Sequence, residues 1–379
     1  MKRMFTKKRI VIGLVITEVA LQIISFGRFV YYTYQARRQA SNWYILNPEN
    51  RWITNQDAKM ISQYHPLLAW TYAPISTPNI HIDNGMVRRT LGNPKENIAD
   101  IPSLYFFGGS TMWGAFAKDG ETIPSYFSRE INAGGPAIRA INYGHVAYNS
   151  NQELALFVNL LKGNKIPDYV IFYDGCNDFK TAPDLVYGQT RMREYLGNMD
   201  PILFPVISLE NKSLLNHRLV VNAIAFIGSH IKIVHYPMQA VPRLWQWITT
   251  DNATKEKPLS QEELAQTVAE NYSRNAAVID VLSRVYGFRY LLLWQPLAYD
   301  KVLTKTERMF PNIEHEAKPT YELTKQRVRE NNISNFVDLS DIFIASAGAS
   351  VFIDDCHVTP EANRVIGVRI AQLFRDKMR

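Results

Sequence analysis

The chain has 379 residues, of which 46% are hydrophobic, 12% aromatic and 20% charged. That is enough to bury a sizeable core and too apolar for a disordered chain. The formal charge of +7 invites a nucleic-acid reading, but residues 1–32 carry +5 of it and leave +2 for the other 347. No concentrated basic face survives, so nucleic acid is set aside as a partner. With only two cysteines, Cys176 and Cys356, a disulfide framework and a structural zinc site are excluded as well.

Residues 10–27 are a mostly apolar run of eighteen, extendable through 29–32, interrupted by Glu18, Gln22 and the flanking Arg28. A helix needs ~20 such residues to span a bilayer. Five basic residues precede the run, against Arg28, Arg37 and Arg38 after it, which favours a cytoplasmic N-terminus and an exported body. No small-x-small cleavage site follows, so an uncleaved single-pass anchor is expected rather than a removed signal peptide. The expected division is a cytoplasmic tail over 1–9, a transmembrane anchor over 10–32, a stem and collar over 33–100, and a folded domain over 101–379. In the collar, His65 to Tyr72 and Gly85 to Arg89 mix aromatic, proline and turn residues and read as short strands or loops packed on that domain.

From residue 102 the pattern becomes strand–helix alternation. Strands are expected over 103–107, 137–143, 169–173, 288–294 and 336–339. Helices are expected over 122–133, 150–161, 318–331 and from Thr359 onward, with Thr359 as N-cap and Pro360 at the first position. Ser260 and Glu263 form a capping box, and the helix they open ends at Gly287. Its inward residues are read as Leu264, Val268, Tyr272, Ile279, Leu282 and Tyr286, and those of the last helix as Val365, Ile366, Ile370, Leu373 and Phe374. Such alternation implies a parallel sheet covered on both faces. The regularity breaks over 182–258, an insertion with an apolar run at 219–229 too short to cross a membrane. It reads as a substrate lid or wall.

Three strings can carry chemistry. In Tyr105-Phe106-Phe107-Gly108-Gly109-Ser110-Thr111, an apolar strand stops at two glycines and leaves a hydroxyl at the sheet's C-terminal edge, where open α/β folds place ligands. A serine becomes a nucleophile only with a base in reach and an acid to orient that base. Asp354-Asp355-Cys356-His357 supplies both, because a carboxylate three residues before a histidine reaches Nδ1 from the same turn and leaves Nε2 free. Asp174-Gly175-Cys176-Asn177-Asp178 follows the third strand and offers the Asn177 amide to an oxyanion. His145 is a rival base without an acid at fixed spacing. If the last two loops converge on Ser110, Cys176 and Cys356 come close enough for a disulfide clamping them together.

Taken in order, Gly-Gly-Ser-Thr, Gly-x-Asn-Asp and Asp-x-x-His resemble the SGNH (GDSL-type) hydrolase superfamily, in the membrane-anchored bacterial form, over residues 102–379. The resemblance implies a flavodoxin-like three-layer α/β/α fold with a central parallel five-stranded sheet, and makes 101–379 the catalytic domain. It implies Ser110 as nucleophile, His357 as base and Asp354 as orienter, with the Ser110 and Ala147 N–H groups and Asn177 as the oxyanion hole. No metal or organic cofactor is implied. Two positions depart from the family pattern. Gly109 stands where the family has aspartate. The block Asn142-Tyr143-Gly144-His145-Val146-Ala147 ends in alanine where glycine is usual, which carries strain if φ is positive. The α/β-hydrolase alternative needs Gly-x-Ser-x-Gly, which Ser110 lacks.

The expected activity is hydrolysis of O-acyl esters through an acyl-enzyme by a membrane-anchored protein whose catalytic domain is periplasmic or extracellular. Exported polysaccharide or lipid would be the substrate. The alternatives are an O-acetyltransferase for an exported polysaccharide using the same triad, and a non-catalytic glycan-binding protein on the same fold.

Overall fold

The structure is a computed structural model. It describes Thr17 and residues 62–95, 100–134, 137–181, 260–304, 307, 317–346 and 349–378. The expected anchor over 10–32, the stem up to residue 61 and the insertion 182–258 lie outside the described residues. Among the described residues no helix is long and apolar enough to cross a membrane.

The collar opens with two antiparallel pairs, β1 (Ser62–His65) with β2 (Ala69–Tyr72) and β3 (Ile75–Ser76) with β4 (His81–Ile82). The alternating part then runs β5 (Ser103–Gly108), α1 (Ser110–Trp113), α2 (Ile123–Asn132), β6 (Arg139–Asn142), α3 (Ser150–Lys162), β7 (Tyr169–Asp174) and α4 (Cys176–Lys180). After the insertion come α5 (Gln261–Tyr286), β8 (Arg289–Trp294), α6 (Lys318–Glu330), β9 (Phe336–Asp338) and α7 (Pro360–Lys377). These elements belong to one compact unit.

The five strands β5 to β9 form a parallel sheet in the order β6-β5-β7-β8-β9. That is the 2-1-3-4-5 order of flavodoxin-like folds. Strands β5, β7 and β8 are buried at every position but the first, as a sheet covered on both sides requires. Adjacent phenylalanines of β5 show the two layers directly. Phe106 packs on Phe127 of α2 at 5.1 Å between ring centroids, while Phe107 packs on Phe157 of α3 at 5.3 Å. Neighbouring side chains of a strand point to opposite faces. So α2, with α7 packed on it, covers one face, and α3, with α5 and α6, the other.

Ser260, Thr359 and Gly287 cap their helices as expected, and Thr122 and Asn149 do the same for α2 and α3. Thr122, Asn149, Ser260 and Thr359 each accept a backbone N–H at the start of their helix, and Gly287 ends α5 at φ 79°. Strand boundaries fall within about two residues of the expected ones. The inward stripes need correction. Tyr286 is 37% and Val365 39% exposed, and Leu264 and Leu282 are only half-buried. Val268, Tyr272 and Ile279 are buried as expected, and alanines 265, 269 and 276 share the inner face of α5 with them.

Candidate active site

The strand order puts the ends of β6, β5 and β7 side by side; the loops carrying Ala147, Ser110 and Asn177 leave from those ends, while the Asp354–His357 turn comes from the connection between β9 and α7. Gly109 caps α1, so Ser110 is its first residue and its N–H has no acceptor within the helix. A Cβ at Gly109 would lie 2.3 Å from Asn177 Nδ2 and 3.1 Å from the Tyr148 carbonyl oxygen. The glycine therefore lets the Asn177 amide settle over the Ser110 turn, and an aspartate there would collide with it. On the far side, Thr111 Oγ1 donates to Gln295 Oε1 at 2.8 Å and ties α1 to the end of β8.

Ser110 Oγ lies 2.6 Å from His357 Nε2, and His357 Nδ1 lies 2.6 Å from Asp354 Oδ2. Only the tautomer with Nδ1–H satisfies both contacts, which leaves Nε2 as acceptor for the serine proton. The other Asp354 oxygen accepts the His357 N–H at 2.6 Å and the Cys356 N–H at 2.9 Å, so one turn holds acid and base together. Burial by itself raises the Asp354 pKa. The electrostatic pull of the adjacent His357 and these hydrogen bonds outweigh it and hold the carboxyl well below the usual range, hence ionised. The turn is supported from below, where Glu307 accepts the Val351 and Phe352 N–H groups at 2.9 and 3.1 Å and pairs with buried Lys301.

Asn177 is the second residue of α4. Its Nδ2 donates to the Tyr148 carbonyl at 2.6 Å, which leaves its second proton to point elsewhere. Ala147 precedes Tyr148 and sits at φ 64°, in the left-handed region that favours glycine. Its N–H makes no hydrogen bond among the described residues. His145, the rival base, is buried between the rings of Tyr72 and Tyr148 at 4.7 and 4.4 Å. Burial lowers its pKa to about 4, and neither ring nitrogen has a partner among the described residues. It is a neutral core imidazole.

Residues unmarked in the sequence frame this site. Arg88, fully buried in the collar, donates to the carbonyls of Trp113, Gly114 and Ala117 at 2.9, 2.7 and 2.5 Å and to Asp119 at 3.1 Å. It thereby fixes the loop that leaves α1, and its guanidinium stacks over the Trp113 ring at 4.2 Å. That loop carries Phe116, a bulky residue at φ 62° whose ring meets His357 edge-on at 5.3 Å. Behind Asn177, Glu153, Asp174 and Asp178 are all buried. Burial first, and then the neighbouring carboxyls, raise the Glu153 pKa well above normal and push Asp174 up to about 8. Asp178 accepts the Ser150 hydroxyl at 2.5 Å and the Gly175 N–H at 3.4 Å, and so holds the start of α4.

Cys176 and Cys356 are free, buried thiols. The loops converge as expected, but the two sulfurs are not bonded in a disulfide. Lys180 joins the same loops by pairing with Asp355 at 2.6 Å. A signal for Glu153 was present in the sequence, since it lies four residues before inward Phe157. Arg88 and Phe116 had none.

No protein-family profile matches this chain, and no curated protein matches it. Solved structures do. LAE5, an α/β hydrolase enzyme from the metagenome of Lake Arreo, Spain, is 16% identical, with 72% of this chain and 93% of that one covered at a TM-score of 0.36. Axe2, an acetylxylan esterase from Geobacillus stearothermophilus, is 15% identical over 73% of this chain and 93% of its own, also at 0.36. The acetyl xylan esterase AlAXEase is 11% identical over 72% and 98%, again at 0.36. Scores of this size leave the functional reading to the geometry of the site.

Proposed function

We propose that this chain is a serine esterase of the SGNH type that acts on O-acyl esters. The observation that carries the reading is the unbroken relay from Ser110 Oγ to His357 Nε2 and from His357 Nδ1 to Asp354, both at 2.6 Å. In this mechanism Ser110 attacks the ester carbonyl while His357 takes its proton. The imidazolium that forms is stabilised by ionised Asp354 and then protonates the leaving alcohol. The resulting acyl-enzyme is cleaved by water, activated by the same imidazole. The tetrahedral oxyanion is received by the Ser110 and Ala147 N–H groups and the free Asn177 amide proton. No step calls on a metal or organic cofactor.

The location of the reaction is also a proposal. Apolar residues 10–32 with their basic flank would anchor the chain in a membrane and hold the catalytic domain on the periplasmic or outer side, where acylated polysaccharide or lipid is the natural ester. The test compares the full-length chain with Ser110→Ala on an activated acetyl ester. Wild type should release acetate and Ser110→Ala should lose about 10,000-fold or more of that rate. No release by wild type refutes the esterase. Release that rises with added glycan, with acylated glycan as product, would redirect the reading to an O-acetyltransferase.

A further inference from the structure

The turn that carries the base brings three metal-ligating atoms close together. A carboxylate oxygen of Asp354, the Cys356 sulfur and a His357 ring nitrogen all lie within 4.8 Å of one another. The Cys356 sulfur is 3.7 Å from His357 Nδ1, and Nδ1 is 2.6 Å from Asp354 Oδ2. Zinc bound at ~2.3 Å by a thiolate and ~2.0 Å by an imidazole separates sulfur from nitrogen by about 3.5 Å at the tetrahedral angle. The Cys–His pair therefore stands close to ligand spacing already. The carboxylate would have to open to roughly 3.3 Å from the nitrogen, a small movement for a side chain anchored through its other oxygen. Thiolate with imidazole is a soft set that selects zinc and its chemical neighbours over magnesium or calcium. Acyl transfer makes no use of the Cys356 thiol.

We propose that Asp354, Cys356 and His357 form an inhibitory site for a thiophilic divalent cation, zinc first among them. The inhibition rests on the reading of His357 as general base, but the binding does not. On binding, the thiol gives its proton to solvent and becomes a thiolate. The metal takes the Nδ1 position and the imidazole proton moves to Nε2. One proton is released per metal and no electrons are transferred. With Nε2 protonated, the imidazole faces Ser110 as a donor and cannot accept the hydroxyl proton, so the nucleophile is silenced without being touched.

Cobalt(II) is the probe for binding, because a thiolate ligand gives it a charge-transfer band in the near ultraviolet. Titration of the full-length chain should show that band at one cobalt per chain. Ser110→Ala and Cys176→Ser should keep it, and Cys356→Ser should abolish it. With zinc, ester hydrolysis should fall and recover on adding a chelator. Cys356→Ser should raise the half-inhibiting zinc concentration roughly 100-fold, since loss of even an outer-shell partner costs 10–100-fold in affinity. Release of one proton per cobalt bound in the wild-type chain, read by the base needed to hold the pH, tests the same site without a substitution. A wild-type chain with no cobalt band and no proton release overturns the proposal, as does a band or inhibition that survives Cys356→Ser. A band in a chain that hydrolyses no ester would sink the esterase and leave the metal site standing.

Discussion

Asp119 offers a controlled comparison, because two arginines share its carboxylate in different environments. Arg88 is fully buried and Arg89 has 43% of its side chain exposed. Arg88→Met removes four hydrogen bonds, three of them to the carbonyls of Trp113, Gly114 and Ala117. At about 1.5–3 kcal/mol per bond to a charged group the gross loss would be roughly 6–12 kcal/mol. Methionine also removes the cost of holding a guanidinium out of water, and Asp119 keeps Arg89. The net loss should therefore fall near the ~3–5 kcal/mol typical of breaking a buried pair by removing one partner. Arg89→Met breaks an exposed pair on the same carboxylate and should cost about 1 kcal/mol or less.

The assay is urea unfolding followed by tryptophan fluorescence, with ester hydrolysis measured on whatever fraction stays folded. The loop Arg88 fixes leaves the nucleophile helix and holds Phe116 against His357. A displacement there of about 1 Å should cost on the order of 100-fold in kcat. Arg88→Lys keeps the charge and loses the fork, so it should recover part of the stability and little of the rate. If Arg88→Met and Arg89→Met destabilise equally, or if Arg88→Met stays within about 1 kcal/mol of wild type, burial is not what gives Arg88 its weight and the reasoning fails.

Three further outcomes are expected. Asp354→Asn should leave the fold intact and lower kcat by about 10,000-fold, because an amide favours the wrong imidazole tautomer; a loss under tenfold would dismiss Asp354 as orienter. Ala147→Gly relieves a left-handed alanine worth ~1–2 kcal/mol against ~0.4–1 kcal/mol of added chain entropy. Urea unfolding should show a small gain in stability, and kcat should hold because the N–H is kept. The buried carboxyls make stability fall as pH rises between about 4 and 8. Asp174, pushed up to about 8 by burial and by Asp178, keeps in the native state a proton that the unfolded chain has released. Unfolding free energies at pH 5.5 and 8 should show a slope of up to ~1.4 kcal/mol per pH unit for each such carboxyl, and Glu153→Gln should remove the share that Glu153 itself contributes.

What the sequence disclosed follows the range of the physics involved. Ser110, Asn177, Asp354 and His357 stand beside element ends that local chemistry marks: the glycines after β5, the turn residues after β7, and Thr359 with Pro360 before α7. The strand order could be inferred because alternation with short connections leaves few arrangements. Arg88 was invisible because its partners are backbone carbonyls, which every sequence possesses equally. Phe116 was invisible because a left-handed φ at a bulky residue is imposed by its surroundings. The inner stripe of α5 was read correctly at Val268, Tyr272 and Ile279 and missed its three alanines, because an apolar period picks out large side chains and passes over small ones.

Ala147 joins these two kinds of information. The sequence showed an alanine where the resemblance led one to expect glycine, and the structure puts it at φ 64°. A strained residue persists only where its neighbours over-determine it. Here the Tyr143 and His145 N–H groups bond the Phe106 and Gly108 carbonyls, at 2.8 and 2.9 Å, and fix one side of the loop. Trp70 of the collar donates to the Val146 carbonyl at 3.1 Å and accepts the Tyr148 hydroxyl at 2.5 Å, gripping both residues that flank Ala147. Asn177 closes the ring on the Tyr148 carbonyl. On the proposed mechanism, the collar is therefore part of the oxyanion side of the site. Removing the Trp70 donor by Trp70→Phe should let residue 147 relax out of the left-handed region and lower kcat while KM changes little, since the N–H it aims is needed only as the oxyanion forms. In the Ala147→Gly background, where that conformation costs nothing, the same substitution should cost much less. Equal losses in the two backgrounds would show that Trp70 acts by some route other than holding Ala147.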